Sequence, residues 1–239
     1  MRNKIITVTF IIIITASIAY AQVMYQALPS NKVALTFDDG PSKGYTERVL
    51  DILQKENAKA TFFVLGLKVA MNPDILKRMY EEGHEIGSHT YYHTDLDAMD
   101  NEEFESELKT TTELIEDITG KKDELFRPPH GRLTYEKRKI LEEKGYDIVM
   151  WSVHADDFSY PNGWVRSSEA IAERVINSVH GGDIVLMHDR TNQLVEALPQ
   201  IVKELKAKGY KFVTISELVN RKSAQSFKGC ETKKDSPSD

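Results

Sequence analysis

Two carboxylates stand side by side in Thr36-Phe37-Asp38-Asp39-Gly40-Pro41, directly after an apolar run. Two histidines stand four apart in His89-Thr90-Tyr91-Tyr92-His93. Two imidazoles and one carboxylate make a three-ligand site, with positions left open for water, that suits Zn²⁺ or another first-row divalent ion. Such an ion lowers the pKa of a bound water from about 15.7 to about 7. A neighbouring carboxylate is then placed to take the proton, so Asp39 reads as a ligand and Asp38 as a general base. His188, where another apolar run ends, is the candidate to carry a second proton to a leaving group. Other chemistries share parts of this pattern. A zinc peptidase helix carries Glu after its first His, where Thr90 stands here. A non-heme iron oxygenase uses the same ligand types, but leaves Asp38, Arg127 and His188 without roles. A purely structural pair of histidines is the remaining reading.

These residues need elements that bring them together. Val33 to Phe37 and Ala60 to Val64 read as buried strands, and Glu85 to Ser88 as a short strand delivering the His pair. Tyr146 to Val153, Asp183 to Met187 and Lys211 to Val213 read as further strands. Helix-period segments alternate with them: Tyr45 to Glu56, Pro73 to Glu82, Asn101 to Thr119, Tyr135 to Lys144, Ser167 to Ser178 and Leu194 to Lys208, with a last turn over Ile215 to Val219. Thr134 reads as an N-cap and Gly145 as the closing residue of its helix. Arg127-Pro128-Pro129-His130-Gly131 is a rigid loop, because two prolines cannot continue a helix. Repeated strand-then-helix units with continuously apolar strands mean parallel strands buried on both faces. The expected fold is therefore α/β, a distorted (β/α) barrel with about seven parallel strands. Its polar strand ends (Asp38 and Asp39, His89, Arg127, Asp157, His188) lie where such barrels keep their active sites.

The chain has 239 residues and a formal charge of −6, with acids and bases interleaved. No basic face speaks for nucleic acid. Met1 to Lys4 is basic, Ile5 to Ile18 is almost wholly apolar, and Ala19-Tyr20-Ala21 is a small-residue cleavage site. Those are the regions of a secretory signal peptide, so residues 1–21 are expected to leave after Ala21, with no stable membrane span remaining. Loss of Arg2 and Lys4 takes the charge from −6 to −8. A lead-in over 22–31, a catalytic domain over 32–220 and a disordered tail over 221–239 complete the expected organisation. The only cysteine, Cys230, lies in that polar tail and reads as an incidental thiol.

With these motifs in this order, the chain resembles the polysaccharide deacetylases with the NodB homology domain, the carbohydrate esterases of family four. The resemblance runs from about Lys32 to Val219. Thr36 to Pro41 is similar to the first motif, His89 to His93 to the second, Arg127 to Gly131 to the third, and Leu186-Met187-His188 to the fifth. It implies that Asp39, His89 and His93 hold a divalent metal, most readily Zn²⁺, with Co²⁺ or Ni²⁺ suited as well. It also implies Asp38 as base and His188 as acid, with Arg127 tuning Asp38 and Asp157 holding His188. Pro129, His130, Gly131, Phe158 and Leu186 would bind substrate, Leu186 beside the acetyl methyl and a backbone N–H of Pro129 to Gly131 on the oxyanion. The implied activity is removal of N-acetyl groups from a polysaccharide such as peptidoglycan or a chitin-like oligomer, outside the cytoplasmic membrane. An O-acetyl esterase on acetylated xylan would share the same site, and a silent glycan-binding domain would share the fold.

The sequence departs from the family pattern in three places. In Trp151 to Phe158, His154 stands at the first acid of the fourth motif and Phe158 at its Trp, while Asp157 keeps the second acid. His130 replaces the usual Tyr of the third motif. These changes point to an altered substrate groove. His84 and His180 read as structural or loop residues. Trp164 and Tyr160 are candidates for a sugar-stacking platform, and Tyr91 and Tyr92 for the groove's flank.

Overall fold

The computed structural model describes residues 23–24, 26–122, 124–158 and 163–220. The expected signal segment, the tail with Cys230, and Tyr160 lie outside the described residues. Nine strands form one sheet: β1 (Val23–Met24), β2 (Lys32–Gly40), β3 (Ala60–Val64), β4 (Glu85–Ser88), β5 (Leu125–Phe126), β6 (Asp147–Val149), β7 (Val153–His154), β8 (Ile184–His188) and β9 (Lys211–Phe212). The order is β1-β6-β5-β4-β3-β2-β8-β7, with β9 on β2, and every strand pairing is parallel.

The sheet curls into a barrel. β6 and β7 lie near opposite ends of the hydrogen-bonded order, yet only Met150, Trp151 and Ser152 separate them in the chain. So short a link forces the two ends of the sheet together. The N-terminal segment spans the seam: Met150 N–H donates to the Met24 carbonyl (2.7 Å), and Gln26 makes an antiparallel bridge with Asp183. The expectation of one strand over Tyr146 to Val153 is thereby corrected. The chain leaves β6 at Val149 and rejoins the sheet at Val153 as β7, which pairs with β8 at the other end of the order. β1 and the short strands raise the count above the expected seven. Two-residue strands such as Val23–Met24 carry no readable period.

Helices follow the strands: α1 (Thr46–Lys55), α2 (Gly66–Met71), α3 (Pro73–Glu81), α4 (Asn101–Thr119), α5 (Tyr135–Lys144), α6 (Ser168–Ser178), α7 (Asn192–Ala207) and α8 (Ile215–Leu218). Asp100, Thr134, Ser167 and Thr191 cap α4 to α7 through their side chains, each worth about 1 kcal/mol. Gly120 and Gly145 end α4 and α5 in the left-handed conformation. Leu194, Leu198, Ile201, Val202 and Leu205 bury one face of α7 in the main core, at about 1.5–3 kcal/mol per side chain. The strands alternate between two apolar layers. Val33, Leu35 and Phe37 pack in the larger core with α1, α3, α6 and α7, whereas Ala34 packs in the smaller one with Phe63, Leu125 and Ile184. Among the described residues, no helix is long and apolar enough to cross a membrane.

Candidate active site

The period-two alternation of the strands aims the site residues. On β2, Thr36 and Asp38 share the face of Ala34, which packs in the smaller layer. His89 follows Gly87, Arg127 follows Leu125, and His188 follows Leu186 by the same step of two. All these strands are parallel, so their carboxyl ends gather at one mouth. Asp39 should by this rule face the opposite layer. It does not, because the β2–β3 register slips between Asp38 and Gly40, leaving Asp39 as an extra residue at φ +72°. Such a bulge re-aims a side chain next to an active site. Both neighbouring carboxylates therefore reach one pocket, of about 610 Å³.

The candidate ligand atoms of Asp39, His89 and His93 lie within 4.8 Å of one another. Asp39 Oδ1 is 3.4 Å from His93 Nε2 and 3.6 Å from His89 Nε2. That oxygen is buried with no hydrogen-bond partner, which is costly unless a cation or donor completes it. Burial alone would raise the Asp39 carboxyl, but the charges of His89, His188, His93 and Arg190 hold it below the ordinary carboxylate range. Burial, with His89 beside it, takes His93 down to about 4, so its ring is neutral and able to ligate at pH 7. The loop carrying His93 is held from α4: the Tyr91 and Tyr92 N–H groups donate to the buried Glu107 carboxylate at 2.9 and 3.2 Å. These donors and geometry fit a divalent ion.

Arg127 is wholly buried. Its Nη1 donates to Asp38 Oδ1 and to Thr36 Oγ1, both at 2.7 Å. Nε and Nη2 donate to the Val149 and Met150 carbonyls at the end of neighbouring β6, and the guanidinium lies 4.1 Å from the Phe63 ring centroid. Burial lowers its pKa, with Asp38 opposing, far from any loss of charge at pH 7. On the other wall, Asp157 accepts from His188 twice, from the backbone N–H at 2.7 Å and at Nδ1 at 3.0 Å. Burial would lower His188, but the carboxylates of Asp157, Asp39 and Asp38, Asp157 foremost, together outweigh it and lift the ring to about 9.

Of the expected substrate-binding residues, His130, Gly131, Phe158 and Leu186 line the pocket. Pro129 does not; it is buried and Pro128 takes its place on the wall. His130 packs edge-on against His93, and His154 tilts towards His188 at 6.2 Å. Tyr92 reaches the pocket rim with 63% of its surface exposed. Trp164 is absent from the wall and instead meets Arg166 at 5.0 Å. His84 lies apart from the site, taking the Ala60 N–H at Nδ1. Two residues after His188 escape sequence reasoning. Asp189 is fully buried, accepts from the Thr46 hydroxyl, and is raised by burial to about 7. Arg190 bonds Asp39. Extending the strand-end argument two residues beyond His188 would have reached both.

The sequence profile of a family described as polysaccharide deacetylase matches residues 25–149. A peptidoglycan-N-acetylglucosamine deacetylase of Bacillus cereus is 42% identical over 201 residues, covering 82% of this chain and 92% of its own length. A peptidoglycan-N-acetylglucosamine deacetylase of Listeria monocytogenes is 39% identical; the match covers 82% of this chain but only 41% of that protein. A crystal structure of a peptidoglycan N-acetylglucosamine deacetylase superposes with a TM-score of 0.79 at 34% identity, covering 84% of this chain and 94% of that one. A CE4 family pseudoenzyme from Bacillus anthracis superposes at 0.75 and 32% identity, covering 83% and 69%.

Proposed function

The chain belongs to the polysaccharide deacetylase family, and from that premise we propose that it removes N-acetyl groups from the amino sugars of peptidoglycan or chitin-like oligomers outside the cytoplasmic membrane. The observation that carries this reading is the buried, partnerless Asp39 Oδ1 facing two imidazole Nε2 atoms. A silent member of the fold would have no need to keep that arrangement beside an intact Asp38 and His188.

Asp39, His89 and His93 would hold the divalent ion, Zn²⁺ by the chemistry of two imidazoles and a carboxylate. When bound, the ion acidifies water and polarises the acyl carbonyl. Asp38 takes the proton of the attacking water, with the Arg127 guanidinium holding its carboxylate towards the pocket. Charge developing on the acetyl oxygen needs a backbone donor. A backbone N–H of the loop from Pro129 to Gly131 would supply it. His188 protonates the departing sugar nitrogen, and Asp157 fixes its tautomer from the far side of the ring. Leu186, buried beside His188 on the same face of β8, receives the acetyl methyl. Phe158 and His154 shape the groove on the His188 side.

The test is incubation of the purified chain with peptidoglycan, N-acetylglucosamine oligomers and acetylated xylan. New primary amines on the amino sugars, with matching acetate, support the proposal. Acetate from xylan alone would transfer the site to O-acetyl esters.

A further inference from the structure

Arg190 has no place in the mechanism above, yet it touches the residue on which the metal reading depends. Just beyond β8, the Arg190 N–H donates to the His188 carbonyl at 3.0 Å. That tight turn brings its side chain back over the pocket, where it forms part of the wall. Nη1 donates to Asp39 Oδ2 at 2.6 Å. The guanidinium lies 4.0 Å from the Phe158 ring centroid, a stacking distance for a planar cation on an aromatic face.

The two oxygens of Asp39 are thus treated differently. Oδ2 is taken by Arg190, while Oδ1 has no protein donor and faces His89 and His93. Asp39 sits on a bulge at positive φ, outside the regular ladder that orients its neighbours. Something other than strand pairing must fix its carboxylate. Arg190, backed by Phe158, is the group in contact that can do so.

We propose that Arg190 is a positioning residue for Asp39. It binds one carboxylate oxygen and turns the other towards the histidine pair, so that the three ligand atoms are grouped before a metal arrives. Phe158 is the platform that holds the guanidinium in place. This inference rests on the reading of Asp39, His89 and His93 as metal ligands.

The experiment is calorimetric titration of Zn²⁺ into metal-stripped chain, without substrate, for the wild type, Arg190→Met and Arg190→Lys. Loss of a group that orients a ligand typically costs about 10–100-fold in affinity, and that weakening is expected for Arg190→Met. Arg190→Lys keeps one charged donor but loses the planar face that stacks on Phe158, so it should recover only part of the loss. Arg190→Met leaves Asp39 Oδ2, on a carboxylate only 5% exposed, without its donor, so its metal-free melting temperature should fall, and all affinities are compared well below the lowest melting temperature, where every variant is folded. Wild-type affinity in Arg190→Met would overturn the proposal. Tighter binding would overturn it too, because the guanidinium would then act only by repelling the ion. Failure of the wild type itself to bind Zn²⁺ would instead bring down the metal reading, and this inference with it.

Discussion

His89 Nδ1 lies 2.7 Å from the backbone carbonyl oxygen of Arg127. A carbonyl only accepts, so Nδ1 carries the proton and Nε2 presents its lone pair to the Asp39 side. One residue thereby serves both halves of the site, because the Arg127 side chain holds the base Asp38. The consequence separates binding from turnover. His89→Ala should bind no Zn²⁺ in calorimetry and release no acetate. Asp38→Asn should bind Zn²⁺ at least as well as the wild type and lose about 10²–10⁴-fold in kcat, the usual worth of a positioned acid–base group.

The Arg127 side chain makes four hydrogen bonds with no exposed surface. Its removal leaves the Asp38 charge buried and alone, which costs about 3–5 kcal/mol. Arg127→Met should lower the urea unfolding free energy by that amount, and lower kcat in the protein that remains folded. Arg127→Lys should rescue little, because an ammonium on a flexible stem cannot reproduce the planar fork that joins Asp38, Thr36 and two carbonyls.

As the proposed acid, His188 would donate from its protonated form, and its pKa is lifted to about 9 with Asp157 as the leading favourable partner. The pH profile of kcat/KM should therefore hold through neutrality and fall as pH rises through the alkaline range. Asp157→Asn removes the charge while leaving an acceptor oxygen, so the alkaline limb should move to lower pH. An unchanged limb in that variant would assign the limb to another group.

Much of this could be read in the chain before any coordinates. The apolar runs ending in Asp38, His89 and His188 announce parallel strands with polar carboxyl ends. The cap at Thr134 and the closing Gly145 announce helix limits, and the structure places them there. Other features are illegible for physical reasons. The bulge at Asp39 is a matter of register between two strands, and a run of residues carries no record of its partner's register. The break at Trp151 follows from barrel closure, a property of the whole sheet. The Arg190–Asp39 pair joins residues 151 positions apart, where neither residue type nor local spacing signals a contact.

His84 offers a stability test remote from the site. It accepts the Ala60 N–H at Nδ1, and burial, with Lys59 and Arg78 adding, lowers its pKa to about 4 from an ordinary 6.5. The unfolded chain therefore binds the extra proton first. The stability this residue confers is complete above pH 6.5 and is lost as pH falls from 6.5 through 4, by up to about 1.4 kcal/mol per pH unit. Urea midpoints for the metal-free wild type should fall across that window. His84→Gln should flatten the dependence, whatever its effect on stability at pH 7.5.

The central claim is that Asp39, His89 and His93 assemble a metal-dependent deacetylase centre with Asp38 as its base. The most direct measurement is acetate release from peptidoglycan by the chain stripped with chelator and then reconstituted with Zn²⁺, beside Asp38→Asn treated identically. Expected are no release when stripped, restored release with one equivalent of Zn²⁺, and a reconstituted Asp38→Asn that binds the ion but stays inactive. Undiminished release from the stripped chain, or full activity in Asp38→Asn, would contradict it.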